Sequence, residues 1–179
     1  MAIDRLQAGG LRAALVLGGA RSGKSAFAQR LAERSSERRV YVATGFAGDD
    51  EMRERIARHR AERGAGWTTA EVRTELAAFI GATAAPATVL LVDCVTFWLT
   101  NLMMADADIA AAIDALAHAA ARAKGPLVFV TNEVGMGLVP ETPMGRAFRD
   151  WQGRANQSLA AACDAAVFVA AGLPMQLKP

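Results

Sequence analysis

Cysteine, histidine and long apolar runs are all scarce in this chain, and each shortage removes a class of protein. The two cysteines, Cys94 and Cys163, stand far apart with no CxxC or Cys/His spacing. That argues against a disulfide framework and against a zinc site, and both read as small packed apolar groups. The longest apolar runs are broken by Asp or Gly well short of a bilayer span. The opening MAIDRLQAGGLRAAL lacks a charged segment followed by an apolar stretch and a cleavage site, so no secretory signal is expected. A soluble, cytoplasmic protein is the expectation. No Pro/Ser-rich linker, single-sign charge tract or internal repeat breaks the chain, and no basic run or RNP-like or zinc-knuckle pattern marks a nucleic-acid binder. The expected partners are therefore small molecules, with neither nucleic acid nor membrane among them.

What is present is globular. The 179 residues are 53% hydrophobic and 21% charged, enough for one domain over 1–179 to bury a core without disulfides or a structural metal. The formal net charge is only +2, but three of the 20 basic residues are lysine and the other 17 are arginine, whose planar fork suits phosphate.

Ala13-Ala14-Leu15-Val16-Leu17 reads as a buried strand ended by Gly18-Gly19, and from Lys24 the pattern turns helical through Phe27 and Leu31. Val40-Tyr41-Val42-Ala43 forms a second strand. Thr88–Val92 and Leu127–Val130 are continuous apolar runs, as strands covered on both faces should be, and Ala166–Val169 reads as the last strand. Helices are expected at 50–63, capped by Asp49 or Asp50, at 71–83, once or twice between Thr96 and Ala123, and from about Met144 to Cys163. This alternation predicts an α/β fold with a mainly parallel sheet, helices on both faces, and ligands at the carboxyl ends of the strands.

Three features carry chemistry. Gly18-Gly19-Ala20-Arg21-Ser22-Gly23-Lys24-Ser25 matches G-x-x-x-x-G-K-[ST] between a strand and a helix, the context in which backbone N–H groups and a helix N-terminus cradle phosphate. Lys24 is expected at the β/γ-phosphates and the Ser25 hydroxyl on Mg²⁺. Leu90-Leu91-Val92-Asp93 has the shape of a strand that ends in a metal-holding acid, although such an Asp also caps a helix or starts a turn. His59 falls on one helical face with Met52, Ile56 and Arg63. It is either a histidine closing an apolar stripe or a nucleophile. His118, in the Ala-rich stretch AAAIDALAHAAARAK, reads as structural.

Further segments occur in order: Tyr41-Val42-Ala43-Thr44, Asp49-Asp50-Glu51-Met52, Arg55-Ile56, His59-Arg60, Trp67-Thr68-Thr69-Ala70-Glu71, Thr131-Asn132-Glu133-Val134-Gly135-Met136-Gly137, Phe148-Arg149-Asp150 and Gly153-Arg154-Ala155-Asn156-Gln157. With the phosphate loop they resemble the bifunctional adenosylcobinamide kinase/adenosylcobinamide-phosphate guanylyltransferase family, from about Ala14 onward, with residues 1–12 as an N-terminal extension. The resemblance implies a RecA-like P-loop domain and two reactions. ATP or GTP phosphorylates adenosylcobinamide, and GTP then passes GMP to that phosphate through a guanylyl-histidine, for which His59 is the matching residue. It also implies nucleotide contacts at Ala43, Thr44, Gly45, Arg60, Ala61, Glu62, Arg63, Glu71 and Asp93, and a homotrimer with the corrinoid in an intersubunit cleft. Glu71 is the residue expected to read guanine. At Asp93 some relatives carry Glu, and beside His59 this chain has Arg58 where some have a second histidine. Asn132 and Glu133, at a strand end, read as substrate or metal contacts or equally as the turn that caps the next helix. Two rival functions fit the phosphate loop alone: a single-reaction small-molecule kinase, and a non-catalytic nucleotide-binding module or motor subunit.

Overall fold

The computed structural model describes residues 12–45, 64 and 66–178. Strand β1 (Ala13–Gly18) leads into helix α1 (Lys24–Ser35), followed by β2 (Arg38–Ala43), β3 (Trp67–Glu71), α2 (Leu76–Thr83) and β4 (Thr88–Asp93). Next come α3 (Val95–Met104), α4 (Ile109–Ala121), β5 (Leu127–Asn132), α5 (Pro143–Ala162), β6 (Ala165–Ala170) and β7 (Leu173–Lys178). The strands form one sheet of seven in the order β3-β2-β4-β5-β1-β6-β7, parallel except for the antiparallel β6–β7 pair.

Each central strand is buried on both faces, and the pleat deals alternate residues to two cores. Leu15 and Leu17 of β1, Leu90 and Val92 of β4, and Phe129 of β5 pack against Ile80, Trp98, Leu99, Ile113 and Leu159 from α2, α3, α4 and α5. Val16, Leu91, Val128 and Val130 face the other way, onto Phe27 and Leu31 of α1. Asp108 and Thr142 cap α4 and α5 by accepting from the N–H groups of Ala111 and Gly145, and Pro143 opens α5.

Two elements differ from the sequence expectation. Glu71 does not begin a helix: it is the last residue of β3, whose Trp67-Thr68-Thr69 run is β-prone and pairs in parallel with Arg39–Ala43, and α2 starts five residues later at Leu76. Nor is the Ala166–Val169 run the last strand. A two-residue turn at Ala171 and Gly172, both at positive φ (51° and 78°), folds β7 back on it as a hairpin. The helix expected over 50–63 lies outside the described residues.

Candidate active site

All the strand ends read as ligand-facing meet on one edge of the sheet. The loop after β1 holds Arg21 and Gly23 at φ 55° and 91° and closes on itself with the Ser22 N–H facing the Gly19 carbonyl at 3.4 Å, so the chain turns tightly into the N-terminus of α1, the end of a helix that favours an anion. Gly23, the residue before α1, offers no side-chain cap. Lys24 Nζ bends back over the loop and donates to the Gly19 carbonyl at 3.0 Å. Ser25, one residue into the helix, is half-buried on the same edge. Gly18 must be glycine: a Cβ there would sit 2.4 Å from the Val169 carbonyl oxygen and 2.8 Å from Ser22 Oγ. That Ser22 hydroxyl is buried and has no hydrogen-bond partner among the described residues.

The β6–β7 turn buttresses this loop. Gly172 N–H donates to the Ser22 carbonyl at 2.8 Å, and a Cβ on Gly23 would come within 3.1 Å of the Gly172 Cα.

Sheet order decides which residues stand beside the Gly18–Ser25 loop. β5 lies between β1 and β4, so the register partner of Gly18 is Asn132, and the Glu133 N–H donates to the Gly18 carbonyl at 3.1 Å. Asp93 ends β4, two strand spacings or about 10 Å from β1. It accepts from Tyr41 Oη at 3.2 Å. Glu71 is exposed at the end of edge strand β3, in register with Ala43 and roughly 19 Å from β1 across four spacings. The expected residues thus form two groups on one edge, with Gly18–Ser25, Asn132 and Glu133 on the β1 side and Ala43, Thr44, Gly45, Glu71 and Asp93 on the β2 side.

Thr44 is fully buried and spent on the protein itself. Its Oγ1 donates to the Cys94 carbonyl at 2.7 Å and accepts from the Cys94 N–H at 2.9 Å, its carbonyl accepts from Asn101 Nδ2 at 2.8 Å, and its N–H faces the Asp93 carbonyl at 3.4 Å. His59, Arg60, Ala61, Glu62 and Arg63 lie outside the described residues. Among the described residues no three His, Cys, Asp or Glu side chains cluster as a metal site. The oxygen donors on this edge, the Ser25 hydroxyl and the Asp93 carboxylate, are nonetheless the kind that a hard cation such as Mg²⁺ takes.

Sequence reading missed a polar cluster behind the β5 tip. Thr131, Gln152 and Asn156 are buried, the last two on the inward stripe of α5 with Ala155 and Leu159. The signal was available: Gln152 and Asn156, four apart, share the period of the apolar residues around them. Both cysteines are free, as expected. Burial, and then the nearby Asp93, raises the Cys94 thiol to about 11. Burial, and then Asp164, raises Cys163 to about 12.

Phosphate-binding loop, strand order and edge-placed acids together define a P-loop nucleotide-binding protein. The fold is shared at low identity with the flagellar accessory protein FlaH of Methanocaldococcus jannaschii, at TM-score 0.53 and 14% identity over 99% of this chain and 84% of that one. An ATPase from a bacterial type III secretion system superposes with TM-score 0.54 and 13% identity over 92% of this chain and 56% of its own. The chain belongs to the cobinamide kinase/cobinamide phosphate guanyltransferase family, which it matches over residues 14–177. It is 45% identical over 166 residues to the bifunctional adenosylcobalamin biosynthesis protein CobP of Pseudomonas aeruginosa, covering 92% of this chain and 96% of the relative. The similarly named CobU of Salmonella typhimurium is 43% identical over 179 residues, 92% of this chain and 98% of the relative. The protein is accordingly an enzyme with cobinamide kinase and cobinamide-phosphate guanylyltransferase activity. No helix among the described residues is long and apolar enough to cross a membrane.

Proposed function

We propose that one domain runs both reactions along the carboxyl edge of the sheet, with residues Gly18–Ser25 as the triphosphate site. In the first, the hydroxyl of adenosylcobinamide attacks the γ-phosphorus of ATP or GTP. The bond to the β–γ bridging oxygen breaks and the nucleoside diphosphate leaves. Lys24 and the loop N–H groups stabilise the charge that builds on the transferred group. Mg²⁺ would be held by Ser25 and Asp93, and when bound it neutralises phosphate charge.

In the second reaction a ring nitrogen of His59 attacks the α-phosphorus of GTP and pyrophosphate departs. A phosphate oxygen of adenosylcobinamide phosphate then attacks the same phosphorus, the P–N bond breaks, and adenosylcobinamide-GDP leaves with the imidazole restored. Arg60, Ala61, Glu62 and Arg63 contact the nucleotide beside His59, and Glu71 accepts from the guanine N1–H and amino group. Ala43 and Gly45 line the pocket, while Thr44 acts through the backbone it holds. Asn132 and Glu133 meet the transferring phosphate or the substrate.

The observation that supports this reading most is the register of Asn132 against Gly18 in a chain of this family. A cytoplasmic homotrimer fits it: Met136, Leu138 and Val139 before α5 and Met144 in its first turn are exposed, Leu138 at 96%, apolar side chains that a subunit contact would cover. The test is product analysis. Wild type with GTP, Mg²⁺ and adenosylcobinamide should form adenosylcobinamide phosphate and then adenosylcobinamide-GDP, whereas Lys24→Ala should form neither and His59→Ala should stop at the phosphate. Full conversion to adenosylcobinamide-GDP by His59→Ala would refute the assignment.

A further inference from the structure

The backbone of Asn132 is gripped by side chains from two different helices. Its N–H donates to Thr96 Oγ1 of α3 at 2.9 Å, and its carbonyl accepts from Asn156 Nδ2 of α5 at 3.1 Å. Parallel-strand tips ordinarily leave these groups to the ladder or to water. Behind the grip, Asn156 Oδ1 accepts from Thr131 Oγ1 at 2.8 Å and from Gln152 Nε2 at 3.0 Å, and Gln152 Nε2 also reaches Thr131 Oγ1 at 2.9 Å. Gln152 is fully buried, and its Oε1 meets no partner among the described residues. An amide buried with one end unsatisfied opposes folding, so a cluster built only for stability would be better served by apolar side chains.

The next peptide along closes the arrangement, since the Glu133 N–H is tied to Gly18 at the root of the phosphate loop. Asn132 and Glu133 thus stand on a backbone fixed at three consecutive points, N–H and carbonyl of one residue and N–H of the next; both residues are half-buried on the ligand edge, and Glu133 Oε1 accepts from the Gly135 N–H at 2.6 Å, which holds that carboxylate at the turn. Transferring a phosphoryl group needs placement more than new covalent chemistry, and small errors of placement are expensive.

We propose that Thr96 and Asn156 are positioning residues that aim Asn132 and Glu133 at the nucleotide on the phosphate loop, with Thr131 and Gln152 locking the Asn156 amide. This rests on the role given above to Asn132 and Glu133. It assigns no contact between Thr96 or Asn156 and the substrates; each acts through the β5 tip.

The experiment is steady-state phosphorylation of adenosylcobinamide by the full chain with GTP and Mg²⁺, reading kcat and KM separately. Thr96→Val keeps the shape and removes the acceptor; it should lower kcat about tenfold or more while the KM for GTP stays within about twofold. Thr96→Ser should restore kcat to within about twofold of wild type, a rescue that packing alone would not give. Because Asn156→Ala opens the buried cluster and risks misfolding, it is a secondary variant, expected to follow the same kcat pattern wherever it folds. Asn132→Ala and Glu133→Ala serve as references. If either reference is slow and Thr96→Val runs at the wild-type kcat, the positioning role is overturned while the β5 tip stays in the site. If both references run at full speed, the tip is not part of the site at all, and the reading it rests on fails with it.

Discussion

Gly18 and Gly19 are adjacent in the phosphate loop but answer to different constraints. Alanine at Gly18 drives a Cβ into the Val169 carbonyl at 2.4 Å, whereas at Gly19 nothing stands within 4 Å. Gly18→Ala should cost about 1–3 kcal/mol of stability and weaken nucleotide binding, because β1 must shift from β6. Gly19→Ala should melt within about 2 °C of wild type, with any effect confined to nucleotide affinity. Thermal melts with and without GTP separate the two, and equal melting losses would refute the distinction.

The thiols make a second prediction at this scale. Their folded-state pKa values, about 11 for Cys94 and about 12 for Cys163, lie above the ordinary thiol value of 9.0. Between these limits the unfolded chain loses protons that the folded chain keeps, so the associated stability is whole below pH 9 and lost as pH rises toward 11 and 12. Denaturant titrations should show stability falling over that range. The native protein at pH 8 should leave both cysteines unmodified by a thiol reagent that labels them after unfolding. Rapid native labelling would contradict the burial.

Among the elements, the β6–β7 hairpin does more than end the sheet. Its turn places the Gly172 N–H on the Ser22 carbonyl, so the loop proposed to bind phosphate leans on a turn residue some 150 positions later. Gly172 sits at φ 78°, and alanine there should cost about 1–2 kcal/mol and loosen nucleotide binding in parallel. Calorimetric binding of GTP to Gly172→Ala checks this; unchanged affinity would mean the buttress carries nothing to the loop.

The same hairpin marks where sequence reading stopped. Strands buried on both faces announced themselves as unbroken apolar runs at Leu15, Leu90 and Phe129. β3 and β7 lie at the two edges, largely exposed, and their mixed side chains carry no such run. The turn of Gly18–Ser25 between β1 and α1 is legible because its glycines and the apolar runs on either side are local signals. Strand order is not, since the side-by-side arrangement of parallel strands is decided by crossovers, and only the fold shows β5 interposed between Gly18 and Asp93. Gln152 carries no signal of its own, and Asn156 only that of the segment Gly153–Gln157, for a related reason: a polar residue on a buried stripe looks like an error in the pattern until the strand tip it holds is known.

Across the whole molecule, the sheet gathers two groups of residues onto one edge, the first on the tips of β1 and β5 and the second on those of β4, β2 and β3. Besides Met104 at the end of α3, the large exposed apolar residues among those described fall in two places, Met136 to Met144 at the start of α5 and Leu173, Met175 and Leu177 along β7. A homotrimer that covers part of this surface should appear as three times the 18.8 kDa chain mass in light scattering, and Leu138→Asp should shift it toward monomer. A monodisperse monomer of wild type at micromolar concentration would remove the intersubunit cleft from the account.

The central claim is that one chain both phosphorylates and guanylylates through a histidine. Incubation with GTP labelled at the α-phosphorus and Mg²⁺, followed by denaturation, tests it most directly. Protein-bound label should survive alkali, be released by acid, and be absent from His59→Ala. Folded wild-type protein that binds GTP yet carries no label would contradict it and leave a kinase alone.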